Sequence, residues 1–183
     1  IIDDYKLNRV IFVPTGNSPI GKKFIASAID RIEMLKNATK KHDALVVDDF
    51  ECRSSKISYA IDTIIYFGKT YPEANLRLLI GEDNFSTFSK WYRYKEILKM
   101  VNIIILSRDN STNYDSIKQI KTTIEENINL FNNTKSERIH FSVKHKSHIS
   151  STMIRSMINS NQSINEYVSH ENIRYIKEKG LYI

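Results

Sequence analysis

Apolar and polar positions alternate in blocks along the chain, and the blocks change period. "RVIFVPT" (9–15) is a short apolar run closed by Pro14, and it predicts a buried strand. Ile25, Ala28, Ile29, Ile32, Leu35 and Ala38 then recur at helical spacing, predicting a helix from Ile25 to about Lys40. "ALVVDD" (44–49) predicts a second strand, and the polar "ECRSSK" after it a loop. A helix running through Tyr59, Thr63 and Phe67 is expected to stop near Gly68 and Pro72. "LRLLIG" (76–81) and "NIIILSR" (102–108) predict the third and fourth strands, with a short helical piece around Trp91 and then "YKEILKM" between them. An amphipathic helix is expected over about 115–131, a fifth strand over "RIHFSV" (138–143), and two closing helices, the last stopped at Gly180.

Strand and helix in alternation predict α/β architecture, a doubly wound parallel sheet with helices on both faces. Such sheets bind ligands beyond the carboxyl ends of their strands. Thr15, Asp83 and the run Ser150 to Thr152 all directly follow predicted strands, which makes them candidates. No internal repeat or linker interrupts the pattern, so one domain over 1–183 is expected.

Composition narrows the class. Hydrophobic residues make up 41% and charged residues 26%, a globular rather than a disordered balance. The longest apolar runs are too short to span a bilayer, so no membrane partner is expected. The single cysteine, Cys52, cannot form an internal disulfide, which points to a reducing cytoplasm. The net charge of +6 is compatible with anionic partners, but like charges are not grouped, and a nucleic-acid partner is not expected. His140, His145 and His148 lie close in sequence without a fourth ligand, so no protein-held metal is expected. Neither a G-x-S-x-G elbow, a P-loop nor a G-x-G-x-x-G fingerprint is present.

Several stretches could carry chemistry. "ISSTMIR" places Ser150, Ser151, Thr152 and Arg155 at a helix start, where free N–H groups and the helix dipole favour anions. It reads equally as a phosphate cradle or as an N-cap followed by a solvated arginine. In "IGEDNFSTFSKWY" (80–92), Gly81 would admit a ligand to the backbone and Asp83 could accept from ribose hydroxyls; an Asx turn or cap at Asp83 is the plainer reading. Trp91 could stack on a heterocycle, although a lone tryptophan is more often core. In "KISYAIDTI" (56–64), Ser58, Tyr59 and Asp62 read first as capping residues. Arg31 could reach a phosphate, with a surface ion pair the plainer reading, and Lys22 and Lys23 are expected to sit solvated on a loop.

The order and spacing of these pieces are more specific than any one of them. "FVPTGNSP", "DRIEMLKNA", "ISYAIDTI", "LLIGEDNFSTFSKWYRYKEIL", "IIILSR", "ISSTMIRSMI" and "IRYIKEKGLYI" together resemble the bacterial nicotinate-nucleotide adenylyltransferase family over nearly the whole chain. The resemblance implies a Rossmann-like nucleotidyltransferase fold. It also implies adenylyl transfer from ATP to nicotinate mononucleotide, giving deamido-NAD and pyrophosphate, with Mg2+ accompanying the ATP. By the same resemblance, Trp91 stacks on the pyridine ring, and the backbone N–H groups of Ala60 and Tyr92 meet the nicotinate carboxylate. The family usually has threonine at the position of Ala60, a change that spares a backbone contact. Thr15 is assigned to the nicotinate nucleotide as well. Gly81 and Asp83 meet the ATP ribose, and Ser151, Thr152 and Arg155 cradle its phosphates.

Two departures stand out. Where the family has a "PPHK" loop, this chain has "SPIGK"; Ile20 replaces the histidine, and Lys22 is displaced by one residue, as a possible phosphate contact. The family's opening strand and G-x-F-D-P-x-H-x-G-H loop, a central strand of the sheet and its catalytic histidines, are not in these 183 residues. On the resemblance, the residues given are an N-terminally truncated domain that turns over little. The same pattern leaves room for a related acceptor, nicotinamide mononucleotide or a pantetheine phosphate, and for a nucleotide-binding protein without catalysis. Oligomeric state is not legible.

Overall fold

The computed structural model describes residues 1–21, 23–106, 122, 139–142 and 149–182. The described chain divides into two compact units, one formed by Ile1–Ser58 with Ile149–Ile183 and the other by Tyr59–His148. The expected helix over about 115–131, Thr122 excepted, and Lys22, His145 and His148 lie outside the described residues.

In the first unit, β1 (Val10–Phe12) pairs in parallel with β2 (Leu45–Val47), Val10 opposite Leu45 and Phe12 opposite Val47. Helix α1 (Ala28–Thr39) crosses between them, as a parallel pair requires. It starts later than the apolar spacing predicts, because Ser27 is the N-cap: its hydroxyl oxygen accepts from the Asp30 amide at 3.1 Å. Ile25 therefore precedes the helix, and both Ile25 and Ile29 are exposed. The inner face is set instead by contacts with the last helix, which we label α6 (His170–Glu178). Its Asn172 Nδ2 donates to the Met34 carbonyl at 2.9 Å, and its Tyr175 hydroxyl donates to Asp30 Oδ1 at 2.9 Å. Asp30 and Met34 lie one turn apart, so this face turns Ile29 outward. Helix α6 ends as expected at Gly180, whose φ of 59° is left-handed. Gly180 N–H donates to the Lys177 carbonyl and Leu181 N–H to that of Ile176, the paired bonds of a Schellman stop.

The second unit contains a three-stranded parallel sheet in the order β3 (Arg77–Gly81), β4 (Asn102–Leu106), β5 (Ile139–Ser142). Strand β4 is flanked on both sides, and Ile103, Ile104 and Ile105 are fully buried, which accounts for the uninterrupted apolar run. Helix α2 (Ala60–Thr70) buries Ile61, Ile64 and Phe67, and α4 (Tyr94–Met100) buries Ile97 and Leu98. Helix α2 stops between Gly68 and Pro72, as expected. The helix runs through Gly68 to Thr70, and Tyr71, non-helical at φ −129° and ψ 69° before Pro72, ends it. Between β3 and α4 the chain makes α3 (Glu82–Phe85) and a 3-10 turn (Phe88–Lys90), which bury Phe85 and Phe88. The five strands among the described residues all pair in parallel, and the fold is α/β.

Candidate functional site

Each unit holds part of the candidate set. In the first unit, the segment after β1 is fixed by backbone carbonyls. The Cys52 thiol donates to the Pro14 carbonyl at 3.2 Å, and Arg31 Nη1 donates to the Thr15 carbonyl at 2.7 Å. Gly16 packs so closely that a Cβ there would meet the Glu51 carbonyl oxygen at 2.1 Å, a clash that only glycine avoids. Asn17 Nδ2 donates to the Ser55 carbonyl at 2.6 Å, and the Asn17 carbonyl accepts from the Ser58 amide at 2.9 Å. Thr15 thus stands on a loop tied down on both sides.

Arg31 does not form the expected ion pair. Its guanidinium lies 4.0 Å from the Phe24 ring centroid, Nε is buried without a partner, and no carboxylate pairs with it among the described residues. Burial pushes the Cys52 thiol above its ordinary range, with the nearby Arg31 charge opposing.

Helix α5 (Ser151–Asn159) carries the hydroxyl-rich run. Ser150 is its N-cap, with Oγ accepting from the Met153 amide at 3.1 Å. One hydroxyl therefore does the capping. Ser151 and Thr152 fall in the exposed first turn, where their amides have no intrahelical acceptor. Arg155 folds back over that turn, Nη2 donating to Thr152 Oγ1 at 3.1 Å. It, too, has no carboxylate partner among the described residues. Burial raises the Tyr182 hydroxyl's pKa, and the charges of Arg155 and Arg31 oppose that rise, so both guanidinium groups act on one phenol. Free amides, the exposed Ser151 and Thr152 hydroxyls, the latter accepting from Arg155, and an arginine without a carboxylate partner among the described residues form a surface suited to anionic oxygen.

In the second unit, β3 ends at Gly81, the N-cap of α3, and Asp83 lies exposed in that short helix. Glu82 beside it is buried at 7% exposure, and its Oε2 has no hydrogen-bond partner. Trp91 is half-buried against the unit's core, its ring 5.3 Å from that of Phe88. It combines both readings from the sequence, since one part packs on the core while the ring is not sealed. Tyr92 is 55% exposed. Its ring sits 4.6 Å from that of Tyr59 at 40°, and Tyr59 immediately precedes Ala60, the first residue of α2. The Ala60 and Tyr92 N–H groups have no acceptor among the described residues. The structure therefore brings Ala60, Trp91 and Tyr92 into one unit with Gly81 and Asp83, and places Thr15, Ser151, Thr152 and Arg155 in the other. Tyr59 is the N-cap residue of α2, the position the sequence reading gave it.

Parallel strands joined by helices define an α/β protein. The profile of the cytidylyltransferase-like family matches residues 3–157. The chain is 34% identical over all 183 of its residues to a probable nicotinate-nucleotide adenylyltransferase of Caldicellulosiruptor bescii, covering 87% of that protein. It is 36% identical over 126 residues, 69% of its length, to a probable nicotinate-nucleotide adenylyltransferase of Aquifex aeolicus, covering 72% of that protein. The fold matches that of Plasmodium falciparum nicotinic acid mononucleotide adenylyltransferase complexed with NaAD, with a TM-score of 0.71, 16% identity and coverage of 96% of this chain and 83% of that one. The chain belongs to the cytidylyltransferase-like family and, within it, to the nicotinate-nucleotide adenylyltransferases.

Proposed function

We propose that the protein transfers the adenylyl group of ATP to nicotinate mononucleotide. The phosphate oxygen of the mononucleotide attacks the α-phosphorus of ATP in line. The new P–O bond gives deamido-NAD, and the bond to the β-phosphate breaks to release pyrophosphate. Such a step needs positioning and charge stabilisation more than a covalent intermediate. Thr152, Ser151 and Arg155 supply donors for the triphosphate, Gly81 and Asp83 meet the ATP ribose, and Thr15 contacts the nicotinate nucleotide. Lys22, outside the described residues, is a further phosphate contact in this reading. Mg2+ enters with the triphosphate as part of the substrate. Among the described residues no group of three His, Cys, Asp or Glu side chains is placed to hold a metal itself.

The observation that carries this reading is the pair of unpaired amides, Ala60 and Tyr92, in one unit with the incompletely buried Trp91 ring, Ala60 and Trp91 packing on the same core. Two N–H donors suit a carboxylate, which only accepts, better than a carboxamide, whose NH2 also donates. This favours the nicotinate acid over nicotinamide mononucleotide and over a pantetheine phosphate, which offers no flat ring to Trp91. A single nucleotidyltransferase domain over 1–183 accords with a family match that runs through both units. A cytoplasmic location accords with the absence, among the described residues, of any helix long and apolar enough to cross a membrane. The test is pyrophosphate release by the protein encoded by the complete reading frame, with each of the three acceptors in turn. Equal rates with the pantetheine compound would remove the pyridine reading; release with none would favour nucleotide binding without catalysis.

A further inference from the structure

We infer that Tyr59 is a positioning residue for the pyridine carboxylate, acting through its ring contact with Tyr92; this rests on the proposed nicotinate site and deepens it. The two unpaired amides belong to separate segments, the start of α2 and the junction ahead of α4. A carboxylate bridging them requires both to be held in one spacing and direction. Among the described residues no hydrogen bond joins 59–60 to 91–92. The link is the Tyr59–Tyr92 ring contact at 4.6 Å, and each ring belongs to, or directly precedes, a residue whose amide is free.

The two rings are unequally anchored. Tyr59 is half-buried and packs on the core, whereas Tyr92 is 55% exposed and precedes Arg93, a non-glycine residue in the left-handed region at φ 55°. Arg93 is held there by Nε, which donates to Glu96 Oε1 at 2.7 Å. The junction thus has a fixed hinge on one side, and the Tyr59 ring supplies the stop on the other. Removing that stop leaves residue 92 free to turn about Arg93 and carries its amide away from that of Ala60.

The experiment is titration calorimetry on the protein from the complete reading frame, with nicotinate mononucleotide and with ATP separately, comparing Tyr59→Leu, Tyr59→Phe, Tyr92→Leu and Trp91→Ala. Loss of one aromatic pair should weaken nicotinate mononucleotide about three- to tenfold in Tyr59→Leu and in Tyr92→Leu, leave ATP binding within about twofold, and leave Tyr59→Phe like the unaltered protein. The double variant Tyr59→Leu, Tyr92→Leu should be no weaker than either single one, because both remove the same contact. If Trp91→Ala weakens the mononucleotide while Tyr59→Leu and Tyr92→Leu do not, the inference fails and the nicotinate site stands. Equal weakening of both ligands, or a Tyr59→Phe variant as poor as the leucine, also overturns it. If Trp91→Ala is without effect, or the unaltered protein does not bind the mononucleotide, the site reading fails and the inference with it. Should Tyr59→Leu not fold, the exposed Tyr92→Leu decides alone.

Discussion

The Arg31 guanidinium donates to the Thr15 carbonyl at 2.7 Å, joining α1 to the loop that follows β1. With no carboxylate to neutralise it among the described residues, this is a charged donor committed to a neutral backbone oxygen. Arg31→Ala should lower unfolding stability by about 1.5–3 kcal/mol, the range for a hydrogen bond to a charged group, read from the urea midpoint. Arg31→Lys restores the charge but not the planar fork or its stacking on Phe24, so it should recover only part. A midpoint unchanged in Arg31→Ala would mean that Gly16 and Asn17 hold the loop without it.

The hydroxyl run at α5 separates stability from binding. Ser150→Ala removes the cap bond to the Met153 amide and should cost about 1 kcal/mol of stability. Ser151→Ala touches no cap and should leave stability within about 0.5 kcal/mol. It should instead raise the KM for ATP, as should Arg155→Ala more strongly, with the KM for the nicotinate nucleotide little moved. Thermal melts and steady-state kinetics on the three variants check this. An Arg155→Ala variant with unchanged ATP kinetics would leave α5 with only a structural cap.

Trp91→Ala separates the two nucleotides in the opposite sense. The ring is half-buried, so its loss costs some core packing against Phe88, and the main kinetic effect should fall on the nicotinate nucleotide. Trp91→Phe keeps a smaller ring and should recover most of the lost binding. Equal kinetics in alanine and wild type would show the ring to be core alone.

The elements of the fold were legible because burial writes its own pattern. The run through Ile103, Ile104 and Ile105 predicts a strand covered on both faces, and β4 is flanked by β3 and β5. Boundaries were less so. Helix α1 was read from Ile25 because periodicity records apolar spacing, while Ser27 and Asp30 decide where the turn begins. The stop of α2 was read near Gly68 and Pro72; the φ of Gly68 is not left-handed, and Pro72 was the effective signal. Within the candidate site, residue types that favour anions at a helix start could be listed from sequence. Which serine caps could not, because Ser150, Ser151 and Thr152 are equally able. Arg31 was misread because its acceptor, Thr15, is 16 residues away, and the Tyr59–Tyr92 ring contact, 33 residues apart, was likewise beyond the reach of local spacing.

The pair Lys40 and Glu171 gives a pH-dependent test of the α1 and α6 contact. Lys40 is the C-cap of α1, Glu171 lies in the first turn of α6, and Lys40 Nζ stands 2.9 Å from Glu171 Oε1. Each charge also suits the dipole of its own helix end. The Lys40 hydrogen bond, more than any other cause, brings the Glu171 carboxyl from an ordinary 4.5 down to about 2. Because the folded state holds the proton less tightly than the unfolded one, the pair's contribution is complete above about pH 4.5 and is lost as pH falls toward about 2. Glu171→Gln should therefore melt below the unaltered protein by a constant margin above that range, and the two melting curves should converge through it. Both groups are partly exposed, so the margin should be small and should shrink in about 1 M salt, where the Debye length is about 3 Å. A margin that stays constant down to the acid end would show that the glutamine disturbs packing rather than charge, and that Lys40 does not hold α6 through this bond.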